Sequence, residues 1–351
     1  MWAASPPAPA RVRTWVGELA RLGVGHRACW ALGVTLDVVA LGCHAARVWP
    51  RDVAWDELRF GVEIEFVDAD PAAVALVDGW TMDPDERQRA MSGQASGGEV
   101  KPGKLRWRDR GEIGETFAAL RAAGADVNFS CGLHVHVGLE PWGADILLPL
   151  IDAALTTQDA LRQLLETAEH RRLFAPPVTA AQRTAWLAAP GEDPLRHVGR
   201  PQGARCGVNV AAWYEFSTVE IRFPNATLDA DAAYRTVQLC LRWVAAVGAG
   251  RALPSRPMAL ADALGVPATG YPPPHPEPAW HRREEALNEL MIPLLQPLVT
   301  THAPDAWILL VRATPEGFVA KTDSGDRLNH RFVFAPGADG FVLRSVEGPL
   351  E

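Results

Sequence analysis

The chain has 351 residues, room for one large domain or two modest ones, and its 48% apolar and 22% charged residues are the balance of a folded globular protein. A formal charge of −8 with no dense Lys/Arg block excludes a protein that tracks a phosphate backbone, so no nucleic-acid partner is expected. The apolar stretch Ala28–Cys43 carries Asp37 and falls short of the ~20 residues of a membrane span, and the first residues lack a secretory pattern, so a cytoplasmic protein without membrane association is expected.

Residues 1–54 form an N-terminal extension with a weak helical pattern at Arg11–Leu22 and no interpretable motif. The five cysteines (Cys29, Cys43, Cys131, Cys206 and Cys240) are odd in number and widely spaced, which fits neither a disulfide framework nor a zinc knuckle. Residues 55–250 carry the motifs. Leu58–Val67 alternates apolar and charged residues with the period of a strand and places Glu63 and Glu65 on its polar face. Met91–Gly98 is rich in Gly and Ser and reads as a loop, with a short strand leaving it at Glu99–Pro102. Glu112–Ala123 has a helical period and Gly124 as its stop. Val127–Leu139 is the second clear strand region, and Ile146–Thr167 is the longest helix candidate. Val208–Ala212 and Thr218–Phe223 read as an antiparallel pair around a turn at Tyr214–Ser217, followed by a helix over Ala230–Val247. Residues 251–280 are dense in proline, which favours an extended linker or wrapping loop. Residues 281–351 read as a C-terminal α+β segment: a helix near Arg282–Leu298, then strand-like runs at Trp307–Arg312, Arg331–Ala335 and Phe341–Val346.

Three of these strands carry chemistry. Glu63 and Glu65 lie two apart, so both carboxylates share one face, where like charges repel unless a cation or a proton intervenes. Alone, this spacing also fits a solvated strand face. His134 and His136 repeat the geometry with imidazoles, which are good ligands for divalent ions but fit a structural pair equally. Glu220 and Arg222 combine a metal-competent carboxylate with a guanidinium fork that can hold phosphate, or simply form a salt bridge. Three strands that each aim chelating groups from one face and apolar groups from the other point together to one polar wall. Oxygen ligands with few thiolates suit Mg2+ or Mn2+, and the chemistry indicated is metal-assisted phosphoryl transfer.

Gly61–Phe66, Glu99 in Gly-Glu-Val-Lys-Pro, Val127–Val137 and Thr218–Phe223 followed by Asn225–Thr227 occur in the order that resembles the amidoligase family, over roughly residues 58–245. Its catalytic sheet is related to that of glutamine synthetase. The resemblance implies an α+β fold with a curved, mostly antiparallel catalytic sheet backed by helices. It also implies an ATP-dependent carboxylate–amine ligase that forms an amide or isopeptide bond through an acyl phosphate, acting on a small-molecule or peptide carboxylate and amine. By the same carry-over, Glu63, Glu65, Glu99, His134 and Glu220 are candidate ligands for more than one Mg2+ ion. His136 is placed near the nucleotide phosphates, and Arg222 is placed to neutralise the transferring phosphoryl group. Glu65, His136 and Arg222 are thus the candidate catalytic residues. Arg171, Arg172, Arg205 and Asn209 fall where the family carries polar residues, and Arg205 joins His136 and Arg222 as candidate nucleotide contacts.

The chain departs from the family in having Lys101 where a Ser precedes Pro102, in matching only partly over Trp80–Asp85, and in the proline-rich stretch and tail. Two rival readings stand beside the ligase. A metal-dependent hydrolase would call for further His or Asp ligands, and His170, His197 and His281 do not sit in strand motifs. A non-catalytic binding module on a ligase-like sheet fits poorly with the full set of carboxylates, both histidines and Arg222.

Overall fold

The computed structural model describes residues 49–84, 88–196, 205–323, 329–338 and 340–350; the expected helical pattern at Arg11–Leu22, Cys29, Cys43 and His197 lie outside them. Strand β1 (Arg59–Phe66) follows its alternation, burying Phe60, Val62, Ile64 and Phe66 on one face and turning Gly61, Glu63 and Glu65 to the other. Burial of each of those apolar side chains contributes roughly 1.5–3 kcal/mol, which fixes the register of the strand and with it the face that the two glutamates occupy. The other strands of this part are β2 (Thr81–Asp83), β3 (Gln88–Arg89), β4 (Ala95–Ser96), β5 (Gly98–Lys101), β6 (Leu105–Arg106), β7 (Leu133–Gly138), β8 (Val208–Asn209) and β9 (Thr218–Ile221). They build a seven-stranded sheet in the order β2-β5-β1-β7-β9-β8, with β6 also on β1 and β3-β4 as a separate small hairpin. Every pairing in the large sheet is antiparallel.

The helices are α1 (Gly111–Ala122), α2 (Leu147–Leu164), α3 (Ala180–Ala188), α4 (Ala212–Phe216), α5 (Ala230–Gly248), α6 (Pro257–Leu264) and α7 (Ala279–His302). The central helix, α5, begins where the Asp229 side chain accepts from the Ala232 N–H, and it buries Val237, Leu241 and Val244 as it packs on β7 and α2. The fold is therefore α+β, an antiparallel sheet backed by helices, as expected. Two details differ from the sequence reading. The β8-β9 pair is joined by helix α4, which ends at Ser217 in the left-handed region (φ 58°), rather than by a turn at Tyr214–Ser217. The proline-rich stretch contains helix α6, because Pro257 occupies its first turn, where a missing N–H costs nothing, and Gly265 closes it with φ +65°.

Helix α7 is longer than α2 and leads into a four-stranded antiparallel meander, β10 (Trp307–Thr314), β11 (Gly317–Asp323), β12 (Asn329–Gly337) and β13 (Gly340–Leu350). Met291, Leu295 and Val299 of α7 bury against Ile308, Val311, Phe332 and Phe334, a core separate from that of the large sheet. Among the described residues, no helix is long and apolar enough to cross a membrane.

Candidate functional site

Cross-strand register, more than proximity in sequence, assembles the polar wall. Glu63 of β1 lies opposite His134 of β7, and His136 lies opposite Glu220 of β9, which in turn lies opposite Asn209 of β8. On the other side of β1, Glu65 faces Glu99 of β5, and Glu99 faces Asp83 of β2. Glu63 Oε2 is 3.0 Å from His134 Nδ1, and Glu63 Oε1 is 3.3 Å from His136 Nε2. Glu220 Oε1 lies 3.8 Å from His136 Nε2 and accepts from Arg222 Nη1 at 2.5 Å, while its Oε2 accepts from Asn209 Nδ2 at 2.7 Å.

Glu63, His136 and Glu220 offer ligand atoms that all lie within 4.8 Å of one another, the one such His/Cys/Asp/Glu group among the described residues. The His136 ring is oriented by a contact of 2.9 Å between Nδ1 and Thr218 Oγ1. Its buried Nε2 has no hydrogen-bond partner of its own, an orphan aimed between two carboxylates. A ring nitrogen oriented from behind by Thr218 and two converging carboxylate oxygens are a donor set that suits a divalent cation.

The charges explain why these groups tolerate burial together. Burial pushes Glu220 up, but the Arg222 guanidinium and then His136 overcome it and bring the carboxyl down to about 2. Burial likewise works to raise Glu63, and the imidazoles of His134 and His136 beside it outweigh that, leaving it well below the usual range. Burial lowers His136 and Arg222, yet the carboxylates beside them, Glu220 foremost, hold both above their ordinary values. On the neighbouring strand, burial and then the charges of Glu63 and Glu65 push Glu99 up to about 8, against the pull of Lys101.

Glu63, His136 and Thr218 form part of the wall of an open cleft of about 360 Å³, whose rim carries Arg59, Lys101 and Lys104. Beneath the cleft, Arg171 is 2% exposed and donates to Cys131 O (2.7 Å) and Arg222 O (3.1 Å), tying β7 to the chain beyond β9. Burial lowers its pKa to about 10. The Gly/Ser-rich segment expected as a loop holds the β3-β4 hairpin and is clamped by the start of α7. Trp280 packs over Gly93 and donates from Nε1 to Met91 O (2.7 Å), and Arg89 lies over the Trp280 ring and pairs with Glu284 at 2.6 Å.

The structure thus brings Glu63, His134, His136, Glu220 and Arg222 into one cluster, with Glu99 beside it through Lys101. Of the two histidines, His136 lines the cleft. His134 lies deeper, 2% exposed, between Glu63, Arg222 and Arg171. Glu65 turns toward the start of β7, where its Oε2 accepts the Gly132 N–H at 2.5 Å. Arg172 pairs with Glu169 at 2.8 Å on the surface, and Arg205 is exposed with no contact to the cluster among the described residues. His170 and His281 join an aromatic group with Phe129 and Trp280, where His281 pairs with Glu277 at 2.5 Å, and supply no ligand to the cluster. Sequence reading passed over Thr218, although it stands two residues before Glu220 and so shares its face.

Residues 74–244 match the model of the family described as "Putative amidoligase enzyme". This stretch, just under half of the chain, carries His134, His136, Glu220 and Arg222, and it agrees with the family resemblance of the ordered motifs. Strand β1, with Glu63 and Glu65, precedes the matched stretch and reaches the site through its pairing with β7. No curated protein matches the chain.

Proposed function

With residues 74–244 as amidoligase-family sequence, we propose that this chain is an ATP-dependent carboxylate–amine ligase acting on small-molecule or peptide substrates. The observation that carries this reading is the Glu63–His136–Glu220 group with the Arg222 guanidinium 2.5 Å from Glu220, set against a cleft with a cationic rim.

In the reaction, a carboxylate oxygen of the first substrate attacks the terminal phosphorus of ATP and ADP leaves. The amine nitrogen of the second substrate then attacks the acyl carbon, the bond to phosphate breaks, an amide forms and the amine loses its proton. Glu63, His136 and Glu220 would hold Mg2+ (or Mn2+), with Glu65, Glu99 and His134 as the further ligands that the resemblance implies; a bound ion would neutralise phosphate charge. Arg222, fixed at one end by Glu220 and from Nε by Phe174 O at 3.3 Å, supplies a positive charge that needs no reorganisation as the phosphoryl group moves. Lys104 and Arg59 set the cleft rim for anionic groups, the phosphates or the acceptor carboxylate. Use of ATP and the free, buried Cys131, Cys206 and Cys240 fit work in the cytoplasm.

The test is phosphate release by purified protein with ATP and Mg2+ across pools of amino acids, polyamines and peptides, with the condensed product detected by mass. Amine-dependent release is expected, falling by about 10²-fold or more in Glu220→Gln and His136→Ala. Release of phosphate with no condensed product would turn the reading toward a hydrolase. Absence of nucleotide turnover with every pool would turn it toward a binding module.

A further inference from the structure

We propose that Lys101 is a built-in cation of this site, its ammonium standing where the family resemblance calls for a further metal ion, so that the protein holds a single divalent ion and none at Glu99. This rests on the ligase reading and refines it. Lys101 Nζ lies 2.5 Å from Glu99 Oε1, 3.9 Å from Glu63 Oε1 and 4.0 Å from Asp83 Oδ2. Three carboxylates from three neighbouring strands, β5, β1 and β2, therefore converge on one ammonium.

Strand geometry makes this arrangement. Lys101 stands two residues after Glu99, so both side chains rise from the same face of β5, and Glu99 is 5% exposed. A carboxyl buried to that degree carries charge only beside a positive partner. Mg2+ would sit at about 2.1 Å from a ligand oxygen and demand near-octahedral surroundings, partly of water. The ammonium already occupies the approach to Glu99 Oε1, and it repels a dication brought beside it. Among the described residues, Glu63, His136 and Glu220 form the one group whose ligand atoms all lie within 4.8 Å of one another, and Glu99 is not in it. One set of residues fits a divalent ion, and the adjoining set is already neutralised by a side chain.

The test is direct counting of Mn2+ bound to the full-length protein, by electron paramagnetic resonance of the free ion and by calorimetry, in the absence of nucleotide. The wild type is expected to bind one ion per chain, Lys101→Ser two, and Lys101→Arg one. Glu99→Gln is expected to keep the single ion, with affinity changed by less than the roughly tenfold that loss of a metal-supporting group costs. Thermal unfolding of each variant checks that it is folded, and the Glu99→Gln count decides the matter if Lys101→Ser is not. Two ions in the wild type, one in folded Lys101→Ser, or loss of the ion in Glu99→Gln would overturn the inference and leave the ligase reading standing. No ion in the wild type would overturn both.

Discussion

Replacing Gly132 by alanine tests whether the Gly-Leu-His-Val-His run is built around a packing gap. A Cβ there would come 2.7 Å from His134 Nε2 and 3.0 Å from Arg171 Nη1, with Nη2 nearer still. Neither neighbour is a free end: both are 2% exposed, Arg171 donates to Cys131 O and Arg222 O, and His134 contacts Glu63. Overpacking of this kind costs roughly 1–3 kcal/mol. Relief by moving Arg171 would leave buried carbonyls without their donor, at about 1–3 kcal/mol each. A net loss of roughly 2–5 kcal/mol is therefore expected, read as a fall in the urea midpoint of tryptophan fluorescence at unchanged slope. Two glycines provide the contrast. At Gly138 the added carbon meets the carboxylate end of Glu140, a flexible side chain 34% exposed, and the cost should stay within about 1 kcal/mol. At Gly111, in the first turn of α1 with open space around it, alanine should stabilise by up to about 1 kcal/mol. Equal midpoints for wild type and Gly132→Ala, or an equal loss in Gly138→Ala, would refute the reasoning.

Thr218→Val keeps the shape of the side chain but removes the oxygen that orients His136; it should weaken Mn2+ binding by about 10–100-fold in calorimetry with the fold intact, and unchanged affinity would remove Thr218 from the site. Glu220 titrates at about 2 in the folded chain against an ordinary 4.5, so the unfolded chain binds more protons between those values. Its stabilisation is complete above pH 4.5 and is lost as pH falls toward 2; Glu220→Gln should be less stable at neutral pH and show a flatter fall of Tm across that window. Trp280→Ala should free the β3-β4 hairpin and speed proteolytic cleavage between residues 90 and 97, because Trp280 covers Gly93 and holds Met91 O. Glu284→Gln, which weakens the partly buried pair with Arg89 but keeps a hydrogen-bond acceptor there, should cost about 1 kcal/mol and leave the cleavage rate near that of the wild type.

Much of the fold was legible because alternation is a local signal. In β1, Val62, Ile64 and Phe66 had to share a buried face, so Glu63 and Glu65 had to share the other, whatever the strand paired with. The same holds for His134 and His136 in β7 and for Glu220 and Arg222 at β9. The two-residue strands β3, β4, β6 and β8 were not legible, or were read too long, because such short segments are strands only by virtue of their partners. Helix α6 was hidden by a rule applied too broadly: prolines break helices from within but begin them well.

The sequence by itself determined which residues could serve as ligands and on which side of their own strand they stand. It could not determine which of them meet. That depends on strand order and register, which set Glu63 beside His134 and His136 beside Glu220 across 71 and 84 intervening steps of chain. It also depends on how far each side chain reaches once placed. Glu65 turns to the Gly132 N–H, Arg205 stays at the surface, and Lys101 extends over Glu99 toward Glu63. Facing is fixed within a strand by backbone geometry, whereas meeting is fixed between strands by the packing of the apolar face behind them, and only the tertiary structure holds that information.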